Sequence, residues 1–598
     1  MQLTTLDWLI MAVFFAVSLM IGLAVSRSAG RSFNSFFLGN RRMPWWLLGV
    51  SMVATTFSTD TPNLVTDIVR SNGTAGNWTW WAFLLTGMLT VFLYARLWRR
   101  SEVLTDIEFY EIRYSGKAAA FLRGFRAVYL GVFFNIIIMA SVTLAAIKIG
   151  GVMIGLTPVE TVVVAAGVTM IYSALGGLTG VLLTDLLQFA IAMVGSVIAA
   201  IYILGLPEVG GLGEMLSHPE VIARADFLPS FDTMGWDVMI PIFIIPLAVQ
   251  WWAAYYPGAE PGGGGYIVQR MLSAKDEKNA VLATLLFNAA HYAIRPWPWI
   301  LIALASLVVF PDLASIAERF PHLPEHMVRN DLAYPAMLTY LPAGLLGLVV
   351  TSLAAAYMST MSTQVNWGSS IIVSDVYRRF FRPNASERQQ VWIGRLSTVI
   401  LMVTACALAL ILENALQMFE ILLQIGAGTG LLLLLRWFWW RVNAIAEIVA
   451  MAVSFFVAVF FALIGGEGLL AWERLVIGVA LTTAAWIVAT LLSRPTSETV
   501  LRSFYRKIQP GGPGWRAVKE RARRDGEEID DGRPSRLPEG LAGAALGTLA
   551  IYSFLFATGF FIYGMWTKAI VCAVITLATS VGLAKLWPRL TAPAKPDA

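Results

Sequence analysis

The sequence predicts an all-α membrane protein with about 15 transmembrane helices. Of its 598 residues, 57% are hydrophobic and only 14% are charged, whereas soluble domains carry about a quarter charged residues. A mean hydropathy of +0.68 and 22 Trp suit a chain with two water–lipid interfaces. The net charge of +5 is small for this length. We therefore expect contact with a lipid bilayer and no binding of nucleic acid.

Apolar runs long enough to cross a bilayer recur along the chain. A helix needs about 20 such residues to cross the hydrocarbon core. The first run is followed by Arg27 and Arg31 rather than preceded by basic residues, which favours a membrane helix over a cleaved signal peptide. Fifteen spans are predicted, at 5–26, 44–70, 75–98, 124–153, 158–175, 179–205, 237–269, 280–311, 343–376, 389–412, 415–436, 441–465, 473–493, 541–566 and 568–588.

The distribution of Lys and Arg predicts the orientation. With the N-terminus outside, the basic loops and helix ends fall on one side, and the long loops 206–236 and 312–333 on the other side contain few basic residues. The positive-inside rule then predicts a multi-pass protein of the cell inner (plasma) membrane with a cytoplasmic C-terminus. The basic residues assigned to the cytoplasmic side include Arg96, Arg100, Arg113, Arg123, Arg270 and Arg436.

The segment 494–540 differs from the rest of the chain in composition. It contains the sequence PGGPG followed by a densely charged run. We interpret it as a cytoplasmic charged linker with a short helix, and a solvated spacer is favoured over a docking module. It separates thirteen spans from a C-terminal two-helix hairpin.

Two spans contain residues that cannot continue a straight helix. The second span includes 54–62, with five hydroxyl side chains, one acid and a proline; the seventh includes 257–265, with five glycines and two prolines. Broken backbone at membrane depth is tolerated where it is buried in protein or lines a water-filled site. The alternative is a pair of kinks that serve packing alone.

The spacing of the two breaks favours a transporter. They lie five spans apart, so spans 2–6 and 7–11 form two halves, and because five is odd the second half is inverted. Interrupted helices at matching positions of inverted halves indicate the binding site of a secondary active transporter.

A cation site is predicted beside the first break. Ala356, Ser359 and Thr360 share one face of the ninth span at positions i, i+3 and i+4. Their hydroxyls, with carbonyls freed near Ala54 and Phe57, offer the hard oxygen ligands that a sodium ion requires. Taken alone, the two hydroxyls are more typical of bonds within the helix itself.

Five stretches resemble the sodium/solute symporter family, which contains sodium/galactose and sodium/proline carriers. They are PWW at 44–46, LTDIEFYEIRY at 104–114, YSALGGLTGVLLTDLLQ at 172–188, YIVQRMLSAK at 266–275 and the ninth span with its exit at 354–383. The resemblance implies a LeuT-type inverted-repeat fold and sodium as the coupling ion. It implies sodium binding at Ala54, Phe57, Ala356, Ser359 and Thr360, and Asp185 near the inner exit for the ion.

The spans, the two breaks and the charged segment together divide the chain. We expect a first transmembrane helix with its loop, two inverted repeats, two additional spans, the linker and the terminal hairpin. Their boundaries are 1–43, 44–236, 237–440, 441–493, 494–540 and 541–598.

The substrate is expected to be a small polar organic solute, bound between the two breaks. The seventh span departs from galactose carriers, since PGAEPGGGG replaces their aromatic and amide residues, which argues against a sugar. Arg295 is placed either to bind a carboxylate or to form an ion pair with Asp60 or Glu260. The candidate lining residues are Ser58, Asp60, Thr61, Trp80, Trp251, Glu260, His291 and Arg295.

The leading prediction is therefore a sodium-coupled symporter that works by alternating access. A proton-coupled transporter with Asp185 or Asp60 as the titrating group remains an alternative, as does a solute sensor that does not transport. An enzyme is not predicted, because no nucleophile–base pair and no phosphate loop are found.

Overall fold

The computed structural model describes residues 3–229, 231–256, 258–321, 328–411, 424–463, 465, 468–532 and 535–591. Within these ranges the chain is helical, and its β contact is a single bridge between Met43 and Ala274. Twelve of the described helices are long and apolar enough to cross a membrane.

The first part of the chain folds into helices that follow one another along the sequence. They are α1 Thr5–Ala29, α2 Trp45–Thr55, α3 Asp60–Asn72, α4 Thr74–Ser101, α5 Gly116–Gly151, α6 Pro158–Leu204, α7 Gly235–Ala253, α8 Gly265–Ser273 and α9 Glu277–Val309. The second part comprises α10 Leu345–Phe381, α11 Glu387–Ala409, α12 Gly430–Phe438, α13 Ala444–Ala462, α14 Ala471–Leu492, α15 Glu498–Ile508, α16 Arg516–Arg524, α17 Leu537–Ile562 and α18 Trp566–Leu590. Part of the predicted eleventh span, 412–423, lies outside the described residues.

The long helix α6 is folded back on itself at Gly177. This residue has φ = +52°, and a Cβ there would lie 2.6 Å from the carbonyl oxygen of Phe36. Tyr172 and Gln188 would be about 24 Å apart in a straight helix, yet their side chains lie within 3.4 Å. The two arms of α6 therefore correspond to the spans predicted at 158–175 and 179–205.

The second predicted span is interrupted between α2 and α3. Residues 56–59 are not helical, so the backbone leaves the helix at Thr55 and re-enters it at Asp60. The stretch is rich in hydroxyl side chains, which compete with the helix for backbone hydrogen bonds. The break is buried apart from Asp60, which is exposed, and Thr56, which is partly exposed.

The seventh predicted span is interrupted between α7 and α8. Gly258, Gly262 and Gly263 have φ between +77° and +86°, a region that favours glycine. The unwound backbone is hydrogen-bonded to a second irregular segment: Tyr255 N–H donates to the Gly426 carbonyl (3.2 Å), and Gly428 N–H donates to the Ala253 carbonyl (2.9 Å). These bonds satisfy polar groups that the apolar surroundings could not. Pro257 lies outside the described residues.

The segment 494–540 is packed against the transport core, which corrects the interpretation as a solvated spacer. The buried ring of Trp515 stacks on Phe504, and its Nε1 donates to the Trp437 carbonyl (2.9 Å). Phe504 also lies against Phe109. The sequence suggested a spacer because the charges dominate its composition; α15 and α16 turn the charges outward and bury one apolar stripe each.

Several arginines assigned to the cytoplasmic side are buried inside the protein. The guanidinium of Arg123 lies 2.6 Å from the Asp375 carboxylate, and Arg436 lies 3.5 Å from Glu447. Arg113 and Arg270 are fully buried. A count of basic residues near helix ends cannot separate such pairs from charges that face water, because both lie in the same stretches of sequence.

The C-terminal hairpin packs against α4. Tyr552 of α17 donates from its hydroxyl to the Trp81 carbonyl (2.9 Å), and its ring lies against Trp78. Gly543 and Gly547 permit this approach, since a Cβ at either position would come within 3.0 Å of Phe92. The hairpin therefore packs directly on α4, the helix that carries Trp80.

Candidate functional site

The residues predicted to bind sodium are buried at the contact between α10 and the end of α2. The Thr360 hydroxyl donates to the Thr55 carbonyl (2.8 Å) and to the Ala356 carbonyl (3.2 Å). Phe57 N–H donates to the Ala54 carbonyl (3.1 Å) within the broken stretch. Ala54, Phe57, Ala356, Ser359 and Thr360 are each at most 4% exposed.

The donor set at this contact has the chemistry that sodium requires. Thr360 Oγ1 uses its proton toward a carbonyl, which leaves its lone pairs available. Backbone carbonyls each keep a second lone pair after accepting one hydrogen bond. Hydroxyl and carbonyl oxygens without a soft ligand suit a hard cation.

Ser359 is bound to Asp185. Its hydroxyl donates to Asp185 Oδ1 (2.7 Å), and Ser51 of α2 donates to Oδ2 of the same carboxylate (2.5 Å). Asp185, on the second arm of α6, is fully buried. The carboxylate therefore contributes negative charge beside the candidate cation site, and it connects α6 with α2 and α10.

Arg270 of α8 completes this network, and its role was not identified in the sequence. Arg270 Nη2 lies 3.7 Å from Asp185 Oδ2 and donates to Thr363 Oγ1 (2.6 Å). Thr363 in turn lies 2.9 Å from Thr55 Oγ1. No local signal in the sequence identified it, because Arg270 lies in the last turn of α8 among residues that the charge pattern assigns to the cytoplasmic side.

A second polar cluster surrounds Thr56, on the other side of the first break. Arg295 Nη1 donates to Thr56 Oγ1 (3.0 Å), and His291 Nδ1 lies 3.0 Å from the same oxygen. Thr56 itself donates to the Val53 carbonyl (3.0 Å). Arg295 Nη2 lies 3.4 Å from His291 Nε2. All of these contacts are satisfied when His291 is neutral, with its proton on Nδ1.

The ion pair considered for Arg295 is absent from the described residues. Asp60 interacts with Arg295 electrostatically, but no described carboxylate lies within 4.0 Å of the guanidinium. Arg295 is 3% exposed, its Nε has no hydrogen-bond partner, and it lies 5.5 Å from the Trp299 ring centroid. A buried guanidinium thus retains an unsatisfied donor.

Trp80, Asp60 and the residues of the first break lie around this cluster. The Trp80 ring stacks on Tyr292 (5.7 Å) and meets the His291 ring edge-on (5.6 Å). Asp60, the first residue of α3 after the break, is solvent-exposed, so a water-accessible space reaches it. Ser58 N–H donates to Thr61 Oγ1 (3.2 Å), and the Ser58 hydroxyl is buried without a partner.

The break in the seventh predicted span lies close to Thr56. A Cβ at Gly258 would lie 3.4 Å from Thr56 Cγ2 and 2.5 Å from the Tyr266 hydroxyl. Because glycine has no side chain, the backbone of the seventh span comes close to the second at Thr56. This threonine was not among the predicted candidates, and the structure places it between the two breaks.

Glu260 and Trp251 contact residues outside the cluster of Thr56, His291 and Arg295. Glu260 packs against Gly264 and lies electrostatically near Asp106, which accepts hydrogen bonds from Gly265 N–H (3.0 Å) and Trp367 Nε1 (3.1 Å). Burial raises the pKa of the Asp106 carboxyl. The Trp251 indole donates to the Leu247 carbonyl of its own helix (2.9 Å). Among the described contacts, neither side chain bonds to Thr56, His291 or Arg295.

Comparisons with known proteins agree with this architecture. Over about 480 residues the chain is 25% identical to the sodium/glucose cotransporter of Vibrio parahaemolyticus, covering 77% of this chain and 85% of the relative. It is 26% identical to the sodium/sialic acid symporter SiaT of Proteus mirabilis, covering 83% and 99%. A solved structure of a substrate-bound, outward-open Na⁺-coupled sialic acid symporter superposes with a TM-score of 0.67 at 22% identity, covering 83% of this chain and 99% of that one, which shows the shared fold.

The family model described as "Sodium:solute symporter family" matches residues 36–454, well over half of the chain. The match covers both breaks, α6 and α10. Sodium is thus the coupling ion, and the protein is a transporter and not an enzyme. The chain belongs to the sodium:solute symporter family.

Proposed function

We propose that this symporter imports a small polar solute that carries a carboxylate, together with sodium, by alternating access. The observation that supports this substrate class is Arg295, a buried guanidinium with no carboxylate within 4.0 Å among the described residues. Intramembrane charges are costly and are retained where they bind a ligand or a partner.

The guanidinium is suited to a carboxylate by geometry. Its planar fork can donate two parallel hydrogen bonds to the two oxygens of one carboxylate. Thr56 accepts a hydrogen bond from Arg295 Nη1, and His291 lies beside Nη2, whereas Nε has no hydrogen-bond partner. A solute carboxylate would supply the missing acceptor and compensate the buried charge.

The remaining candidates would bind the uncharged part of the solute. Asp60 is solvent-exposed at the start of α3 and can accept hydrogen bonds from hydroxyl groups. Trp80 offers a ring beside His291 for the apolar face of a ring-shaped solute. Ser58, whose side chain lies beside Asp60, and Thr61 would complete this lining. Glu260 and Trp251 support the seventh break in this proposal and do not touch the solute.

Sodium would bind at Ala54, Phe57, Ala356, Ser359 and Thr360 and would couple to the solute through two adjacent residues, Thr55 and Thr56. Thr55, whose carbonyl accepts the Thr360 hydroxyl, directly precedes Thr56, which contacts Arg295. An ion that holds α10 against the end of α2 would therefore fix the position of Thr56. Asp185, beside Ser359, would stand on the path of the ion toward the cytoplasm.

The proposed arrangement in the membrane retains fifteen spans. The first inverted repeat is 44–236 and the second is 237–440, and the two broken spans occupy matching positions. The N-terminus lies outside and the C-terminus, with 494–540, lies in the cytoplasm, as the positive-inside rule favours. Residues 1–43, 441–493 and 541–598 surround this core in the plasma membrane.

The substrate class can be tested with solute pairs that differ by a carboxylate. Thermal stability of the purified protein would be measured with glucuronate against glucose, galacturonate against galactose, and N-acetylneuraminate against its methyl ester, each in sodium or potassium. A ligand that binds only the folded state raises stability by mass action. We expect at least one acid to stabilise in sodium, and its neutral partner to have no effect.

The Arg295→Gln variant makes the test specific. It should lose the response to the acid and keep the response to sodium, while Arg319→Gln, which changes a cation near Tyr340, should keep both. Stabilisation by a neutral sugar that persists in Arg295→Gln would overturn the proposed substrate class and leave sodium coupling intact.

A further inference from the structure

A cavity of about 310 Å³ lies where three parts of the chain meet. These are the end of α4, the packed segment 494–540 and the beginning of α17. Sites for small ligands occupy about 300–1,000 Å³, so this cavity has room for a compact ligand. It is separate from the solute site, because Arg96 in its wall lies about 24 Å along α4 from Trp80.

The cavity wall is rich in cations. Arg96, Arg100, Lys519 and Arg536 line it, against two acids, Asp530 and Asp531. Lys519 and Asp530 neutralise one another through an ion pair of 2.5 Å. Arg100 is bound to both oxygens of Glu277 (2.8 and 2.9 Å), and Arg536 donates to the Leu590 carbonyl (3.2 Å).

Arg96 differs from the other cations of the wall. It is only 7% exposed, its Nε has no hydrogen-bond partner, and it makes no ion pair within 4.0 Å among the described residues. Arg100 and Arg536 repel it electrostatically, while Glu277, already held by Arg100, and Glu539 attract it from beyond that distance. A buried guanidinium in this position is unfavourable unless an anion compensates it.

Ser535 in the cavity wall can also donate a hydrogen bond. Ser535 Oγ accepts hydrogen bonds from Gly512 N–H (3.1 Å) and Leu537 N–H (3.3 Å), which leaves its hydroxyl proton to be donated. We propose that this cavity is a binding site for a phosphate-bearing anion, held by Arg96 with Arg536 and Ser535. Guanidinium groups bind phosphate through bidentate hydrogen bonds and are the usual residues for this task.

The position of the site allows two sources of phosphate. Arg96 lies near the end of the membrane helix α4, and Leu537 and Pro538 begin α17, so a lipid headgroup can reach the cavity along the helix ends. A soluble phosphate compound can reach it from the solvent beside 494–540. In either case the anion would join the C-terminal region to α4.

The test is thermal stability of the protein purified in a maltoside detergent. The soluble probes are inorganic phosphate and glycerol 3-phosphate, and the lipid probe is short-chain phosphatidylglycerol, with phosphatidylcholine for comparison. We expect either the soluble probes or phosphatidylglycerol to raise the apparent Tm by on the order of 2 °C. Stabilisation by the soluble probes assigns a soluble ligand, and stabilisation by phosphatidylglycerol alone assigns a lipid headgroup.

Two variants decide whether Arg96 carries the effect. Arg96→Gln should abolish the response to the probe, whereas Arg516→Gln, which changes an arginine whose side chain is 81% exposed, should keep it. Without a probe, Arg96→Gln should be as stable as the wild type or more so, because it removes an uncompensated buried charge.

The proposal is overturned if neither the soluble probes nor phosphatidylglycerol stabilises the wild type. It is equally overturned if a probe raises the Tm of Arg96→Gln as it does that of the wild type. It is also overturned if Arg96→Gln is markedly less stable than the wild type without any probe, since Arg96 would then be a structural residue whose partner is the protein itself.

Discussion

The hydroxyl of Ser359 donates a hydrogen bond of 2.7 Å to Oδ1 of Asp185, and both side chains are buried. Ser359 lies on α10 and Asp185 on the second arm of α6. The same carboxylate accepts a hydrogen bond from Ser51 of α2 and lies 3.7 Å from Arg270 of α8. One acid therefore connects the candidate sodium site to helices from both broken spans.

We expect removal of the two candidate hydroxyl ligands to weaken sodium binding. In Ser359→Ala with Thr360→Ala, the sodium concentration for half-maximal stabilisation should rise at least about tenfold, equivalent to about 1.4 kcal/mol. The measurement is a sodium titration of thermal stability at constant ionic strength. Thr351→Ala is the matched control, since Thr351 is buried on the same helix and donates to the Gly347 carbonyl (2.7 Å). An unchanged sodium titration in the double variant would refute the site.

Loss of Arg270 should destabilise the protein through the charge it leaves behind. Arg270→Gln leaves the Asp185 carboxylate buried without a cation, and breaking a buried pair in this way costs about 3–5 kcal/mol. The apparent Tm should fall clearly. Adding Asp185→Asn should recover much of the loss, because the second change removes the unpaired charge. If the double variant is as unstable as the sum of the two single variants, the pairing across 3.7 Å does not operate.

Thr56→Val should weaken solute binding without disturbing the fold. The change removes the oxygen that accepts from Arg295 and contacts His291, so the guanidinium is no longer held in position for a solute carboxylate. A loss of about 1.4 kcal/mol in binding free energy corresponds to a tenfold change in affinity. Uptake should show a KM raised about tenfold or more with little change in Tm. Thr66→Val is the control on the same predicted span, because the buried Thr66 hydroxyl has no partner. Equal KM values for the two variants would contradict the role of Thr56.

Truncation of Trp515 should detach or loosen the segment 494–540. The indole is fully buried between the segment and α12, and Trp→Ala changes in cores cost about 3–5 kcal/mol. Limited proteolysis of Trp515→Ala should cut within 494–540 faster than in the wild type. Trp392→Ala, which removes a ring that is 61% exposed, should leave the rate of cleavage unchanged. Equally slow cleavage in both variants would show that the segment holds its place without Trp515.

The helical class and both breaks could be predicted from the sequence because each depends on local composition. Apolar runs of membrane length, and glycine and proline within 257–265, leave the backbone few choices. Ala356, Ser359 and Thr360 share a face by helical geometry alone. The spans predicted at 158–175 and 179–205 lie on either side of the turn at Gly177, and a single straight helix of 47 residues would be far longer than the bilayer is thick.

The remaining features depend on contacts between residues distant in the chain. Arg270 and Asp185 are 85 positions apart, and nothing near Arg270 in the sequence distinguishes it from a basic residue that faces the cytoplasm. The same holds for Thr56 and Arg295, which meet only because α9 packs beside the first break. The packing of 494–540 was missed because its charges conceal a buried stripe that includes Leu501 and Trp515.

The most direct test of the account is solute uptake into proteoliposomes under an imposed sodium gradient or an imposed proton gradient, at the same membrane potential. The labelled solute is the one that stabilises the purified protein most strongly. The account predicts accumulation that follows the sodium gradient and is lost in Ser359→Ala with Thr360→Ala. Accumulation that follows the proton gradient and does not depend on sodium would contradict it.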